Sequence, residues 1–140
     1  MKKVLIVFIA LLASVSIFAQ DMESATNMYN EGANYLNMGD KESALKCFED
    51  ALAQAELIGA DAEELMYNCK KNIPVLIMSI GKEQANNSDI PGAIATFQKA
   101  IEKANEYGQT DIIMEAESLI PQLYMQEGNI YLKNKDYQNA

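Results

Sequence analysis

The chain has 140 residues, enough for one domain, and carries 20 acidic residues against 11 lysines, with no histidine and a formal net charge of −9. It also contains no arginine. This balance argues against nucleic-acid binding, because cations that neutralise phosphates are outnumbered and the main reader of base edges is missing. Without histidine the chain lacks the commonest general base and zinc ligand, so we expect no enzyme activity, no catalytic residues, no metal and no cofactor.

Residues 1–19 differ from the rest of the chain. Lys2 and Lys3 precede an uninterrupted apolar run over 4–13, and smaller residues follow up to Ala19. This order is typical of a Sec-type signal peptide, and the run is shorter than the roughly 20 residues that span a bilayer. We expect export in a Gram-negative bacterium, cleavage after Ala19 and a periplasmic or secreted chain over 20–140 without stable membrane insertion. An uncleaved anchor is the alternative.

Five helices and no strand are predicted after the signal peptide. Apolar residues recur at helical spacing over about 22–38, 40–58, 61–86, 89–107 and 111–131. Asp40 is placed to cap the second helix, and Asp61, with Glu64 three residues later, resembles a capping box for the third. Pro74 and Pro121 interrupt the third and fifth stripes, and we expect kinked helices at these positions rather than pairs of short ones.

Residues 40–59 and 89–108 are copies of each other at an offset of 49 residues. Leu45 corresponds to Ile94 and Leu52 to Ile101, so these apolar positions exchange like for like. Six further positions are identical between the copies: Asp40 and Asp89, Ala44 and Ala93, Phe48 and Phe97, Ala51 and Ala100, Ala55 and Ala104, and Gly59 and Gly108. A repeat at this spacing indicates stacked supersecondary units.

The segments before the copies repeat as well. Gly32, Gly81 and Gly128 each stand eight residues before an aspartate, and tyrosine follows the first and third glycines at positions 35 and 131. A small residue and an aromatic on a first helix, then Ala…Phe…Ala on a second, resembles the tetratricopeptide repeat. The residues that carry the resemblance are Gly32, Tyr35, Ala44, Phe48, Ala51, Gly81, Ala93, Phe97, Ala100, Gly128 and Tyr131.

The resemblance implies an all-α, TPR-like solenoid of antiparallel helix pairs, with repeats lengthened to 47–49 residues. The units would cover about 22–59, 61–108 and 111–140, the last one incomplete. The stripe on the fifth helix then has no following partner helix. We expect either that the sequence is a fragment of a longer protein or that another chain covers this face. Self-association through the uncovered helix is one form of the second alternative.

Members of this family usually bind partner peptides in a groove that the first helix of each unit lines. The resemblance places nine side chains there: Tyr29, Leu36, Asn37, Met78, Lys82, Asn86, Met125, Asn129 and Lys133. It implies a non-catalytic interaction scaffold or adaptor whose partner is a protein or peptide. The alternative is the exported sensor half of a longer membrane signalling receptor.

The two cysteines, Cys47 and Cys69, do not have the short spacing of a zinc or redox motif. One interpretation treats them as small buried hydrophobes. The other joins them in a disulfide, since antiparallel helices about a turn near Gly59 would bring them to similar heights.

Overall fold

The computed structural model describes residues 21–133, and these residues form five α-helices and one 3-10 turn. The first helix, α1, covers 21–38 of the described chain. The others are α2 (Lys41–Ile58), the 3-10 turn η1 (Ala60–Ala62), α3 (Glu63–Asn86), α4 (Ile90–Tyr107) and α5 (Thr110–Lys133). Within this range there is no strand, and the predicted all-α class of consecutive helix pairs is confirmed. The predicted signal peptide and the predicted helix start at Asp136 lie outside the described residues.

The second helix of each repeat unit, α2 or α4, begins after an aspartate that caps its N-terminus. The Asp40 carboxylate accepts a hydrogen bond from the Ser43 backbone N–H at 3.0 Å, and Asp89 accepts one from the Gly92 N–H at 3.1 Å. These bonds satisfy backbone donors that have no partner inside the helix. Hydrogen bonding from Ser43, through its side chain and its backbone, lowers the pKa of Asp40.

Both second helices end on a glycine with positive φ, which residues with a Cβ rarely adopt. Gly59 has φ +84° and its N–H donates to the Ala55 carbonyl at 3.0 Å, while Gly108 has φ +73°. The residue predicted to open a capping box, Asp61, lies in the 3-10 turn, where the Ala62 N–H bonds to the Gly59 carbonyl at 3.0 Å. Helix α3 therefore begins two residues later than its predicted cap.

Pro74 lies inside the continuous 24-residue helix α3, which confirms one helix over two short ones. Proline has no N–H to donate to the carbonyl four residues before it, here Lys70. The Gln109 side chain supplies the missing donor, with its Nε2 atom 2.5 Å from the Lys70 carbonyl oxygen and 3.3 Å from that of Lys71. A side chain from the loop between α4 and α5 thus takes the place of the backbone donor that Pro74 lacks in α3. Pro121 lies equally inside α5, where its surroundings are exposed.

The chain divides into two compact units, with the boundary between Cys69 and Lys70 inside α3. Unit 1 contains α1, α2, η1 and the first turns of α3. Unit 2 contains the remainder of α3 with α4 and α5. Each unit has a core built on one phenylalanine, with Phe48 2 % exposed in unit 1 and Phe97 1 % exposed in unit 2. The alanines of both copies at 44, 51, 55, 93, 100 and 104 are fully buried.

Each core phenylalanine lies against the bare backbone of a first-helix glycine. A Cβ atom added to Gly32 would be 2.8 Å from Cε1 of Phe48, and one added to Gly81 would be 2.6 Å from Cε1 of Phe97. Carbon atoms in contact prefer separations of about 3.5–4.0 Å, so neither position has room for a methyl group. The ring therefore fixes how closely the two helices of a pair approach.

We predict that Gly81→Ala destabilises the protein by about 1–3 kcal/mol through overpacking, although alanine gains roughly 1 kcal/mol in helix propensity. In a Phe97→Leu background the same change should be neutral or stabilising, because the smaller side chain leaves room for the methyl group. Urea unfolding of the four proteins measures the coupling. An equal cost of Gly81→Ala in both backgrounds would show that the ring does not constrain the glycine.

A second double-mutant cycle tests the hydrogen bond from Gln109 to α3. Gln109→Ala should cost about 1–2 kcal/mol, because it removes the side-chain hydrogen bonds to the Lys70 and Lys71 carbonyls. In a Pro74→Ala background the backbone N–H of residue 74 can donate to that carbonyl, so Gln109→Ala should then cost much less. Thermal and urea unfolding would measure both. If the two costs agree, the Gln109 amide does not substitute for the backbone N–H that Pro74 lacks.

Candidate functional site

The predicted contact residues of unit 1 differ in accessibility. Tyr29 is half-buried, and its ring centroid lies 5.0 Å from that of Phe48 at an interplanar angle of 38°. It therefore supports the core as well as reaching the surface. Leu36 is 39 % exposed and Asn37 is exposed in the last turn of α1. The end of α1 thus presents one apolar and one amide side chain.

In α3 the predicted contact residues divide into one core residue and two surface residues. Met78 is only 2 % exposed and has no surface to offer a partner. Lys82, one turn further along the same stripe, is exposed and bonds through Nζ to Glu115 of α5 at 2.6 Å. Asn86 is exposed at the end of α3. Because Lys82 already has a carboxylate partner, it is not a dedicated clamp for a peptide carboxylate.

The predicted residues of α5 are all accessible. Met125 is 70 % exposed, and Asn129 and Lys133 are exposed as well. Met125 and Asn129 line a shallow depression of about 390 Å³ together with Tyr124, Gly128 and Leu132. A second depression of about 380 Å³, on α1, is lined by Glu23, Ser24, Asn27, Met28 and Glu31. The α5 depression combines apolar and amide side chains, whereas the α1 depression is acidic.

A second apolar stripe on α5 was predicted only in part, through the contact residue Met125. Met114, Pro121, Met125 and Leu132 recur at intervals of seven, four and seven residues, and all four are exposed. Helical periodicity alone places them on one face. The packed face of the same helix carries Ala116 and Leu123 as its buried residues.

The remaining repeat-signature residues lie at or below the surface. Gly32 and Gly81 are buried, whereas Tyr35, Gly128 and Tyr131 are half-buried. Gly32 and Gly81 each contact a side chain on the second helix of their own unit, Phe48 and Phe97 respectively. The glycines therefore act through packing.

Both cysteines are free thiols, so the disulfide interpretation is not realised in this structure. Cys69 is fully buried, and burial raises its pKa to about 11; burial also raises the pKa of the half-buried Cys47. The thiolate is the reactive form of cysteine, so both side chains are protonated and weakly nucleophilic at neutral pH. Over residues 21–133, no three His, Cys, Asp or Glu side chains are grouped so that they could hold a metal ion.

None of the helices in the described part of the chain combines the length and the apolar character that crossing a membrane requires.

Comparison with protein families gives one match, to the model described as "Tetratricopeptide repeat", over residues 25–56. This segment covers most of α1 and most of α2, including Gly32, Phe48 and the buried alanines between residues 44 and 55. No curated protein and no solved structure matches the chain.

Proposed function

We propose that this chain, a tetratricopeptide-repeat protein, serves as a non-catalytic scaffold or adaptor. It would bind a segment of another protein. Repeats of this family generally mediate protein–protein interaction. The observation that carries the proposal is the match over residues 25–56, which coincides with the helix pair whose glycine and phenylalanine meet.

The partner segment would bind on the exposed faces of the first helices. In unit 1 the contact residues would be Leu36 and Asn37, with Tyr29 at their edge. In unit 2 they would be Lys82, Asn86, Met125, Asn129 and Lys133; Met78 is excluded by its burial. Apolar and amide side chains suit an extended or helical segment whose backbone and apolar residues make the contacts.

We place this activity in the periplasm or outside the cell, on the strength of the pattern over residues 1–19. When the full gene is expressed in a Gram-negative host, the exported chain should begin at Gln20. N-terminal sequencing of the periplasmic fraction checks this, and Ala19→Arg, which removes the small residue at the cleavage point, is the matched control. A chain that retains Met1 and stays in the cytoplasm would contradict the location.

Affinity capture with the mature chain tests the binding surface. Lys82→Glu puts a second carboxylate beside Glu115, and Met125→Glu puts a charge on the apolar surface of α5. Each should weaken binding of the captured partner at least tenfold. Lys46→Glu is the matched control, because Lys46 bonds to Asp50 at 2.5 Å on the second helix α2, outside the proposed surface.

Circular dichroism of all variants would confirm that the helices remain folded. If Lys82→Glu and Met125→Glu bind the same partners as tightly as Lys46→Glu does, the surface is assigned wrongly.

A further inference from the structure

Glutamine is the residue that the proposed cleavage after Ala19 leaves at the start of the chain. Gln20 follows Ala19 directly in the sequence. A glutamine with a free α-amine differs from every other glutamine in a protein, because its amine nitrogen can reach its own side-chain amide carbon. The ring that this reaction closes has five members and is not strained. The proposed cleavage therefore creates a reactive pair of groups at the start of the exported chain.

The reaction is an internal transfer of an acyl group that needs no oxidant, reductant or second substrate. The unprotonated α-amine nitrogen attacks the Cδ carbon of the side-chain amide, and a new N–Cδ bond forms. The old Cδ–Nε2 bond breaks, and the Nε2 group leaves as ammonia with one proton from the amine. An unperturbed α-amino group titrates at roughly pH 8, so its reactive neutral form is present near neutral pH. The product is the neutral lactam pyroglutamate.

Few residues separate this amine from the core of unit 1. Helix α1 is already formed at Asp21, the residue after Gln20, and Ala25 is fully buried. The first described turn is tied to the next, because the Thr26 hydroxyl donates to the Met22 carbonyl at 2.8 Å. An exopeptidase that removed residues 20–25 would therefore take away a core side chain.

The charge of a free amine would also oppose the dipole of α1. A helix N-terminus has a partial positive charge, so an ammonium group is unfavourable there and carboxylates are favourable. The first four described residues include the acidic side chains Asp21 and Glu23 and no lysine. Ring closure removes the ammonium charge and leaves both carboxylates. The cyclised end therefore suits the start of this helix better than a free amine does.

We infer that the exported chain carries pyroglutamate at position 20, formed from Gln20 with loss of one ammonia. The lactam closes the chain to aminopeptidases, which require a free α-amine, and so protects the helix that contains Ala25. The inference rests on the export and the cleavage after Ala19 proposed above. It assigns a covalent modification and is independent of the proposed binding surface.

Mass spectrometry of the chain isolated from the cells that naturally produce it tests the modification. We expect the N-terminal peptide to begin at position 20 and to be lighter by one ammonia than the same peptide with unmodified Gln20. A peptide that begins with an uncyclised Gln20 would overturn the inference and leave the export standing. A chain that begins at Met1, or at any other residue, would contradict the proposed cleavage and the inference together.

A second experiment separates the chemistry from the export. Residues 20–140 are released from a cleavable fusion so that Gln20 is the first residue, and a glutaminyl cyclase is added as a reagent. The chain should lose one ammonia, whereas the matched control Gln20→Ala has no side-chain amide and should keep its mass. An unchanged mass of the Gln20 chain after this treatment would overturn the inference even if export leaves Gln20 first.

Digestion with an aminopeptidase of broad specificity measures the protective effect. The cyclised chain should lose its first residues at least tenfold more slowly than Gln20→Ala, with the products read by mass spectrometry. Circular dichroism before digestion would confirm that both chains have the same helix content. Equal rates of trimming would show that the lactam does not protect the helix.

Discussion

The approach of a phenylalanine ring to an uncovered stretch of helix backbone is the constraint on which the rest of the structure depends. A glycine inside a helix costs about 1 kcal/mol relative to alanine, so its presence must be offset by packing. The cost of Gly32 and Gly81 is offset by packing of the Phe48 and Phe97 rings, which would overlap any methyl group added to these glycines. The buried alanines around each ring are the other half of this arrangement. Short side chains on the second helix let the backbones approach, and the ring fills the space that remains.

This constraint also explains what the chain exposes. Because the ring and the small residues occupy one stripe of each first helix, a neighbouring stripe is free to meet other molecules. In unit 2 that neighbouring stripe is partly occupied, since Lys82 bonds to Glu115 and Met78 is buried. The α5 helix is the exception, with apolar residues on two of its faces and side chains such as Met125 and Tyr124 largely in solvent. The two helices have the same length, and α3 and α5 therefore differ in how much of their apolar surface is buried.

Much of the fold was predictable from local chemistry and repetition. Aspartate caps, positive-φ glycines and apolar periodicity act within a few residues, so Asp40, Asp89, Gly59 and Gly108 indicated the helix ends correctly. The offset between the copies identified Phe48 and Phe97 as equivalent. Contacts between distant residues left no such signal. The Gln109–Lys70 bond joins residues 39 apart in sequence. Likewise the burial of Met78 depends on packing between helices, which periodicity within α3 cannot reveal.

The exposed stripe of α5 has a chemical consequence that follows from its composition. Two of its four members, Met114 and Met125, are methionines, and they are 66 % and 70 % exposed. Oxidants convert an accessible thioether into a sulfoxide, which is polar and accepts hydrogen bonds. Peroxide would thus make this apolar stripe hydrophilic while leaving the buried Met78 thioether unreacted. The same helix would then reject the apolar surfaces that its reduced form attracts, and methionine sulfoxide reductase would restore it.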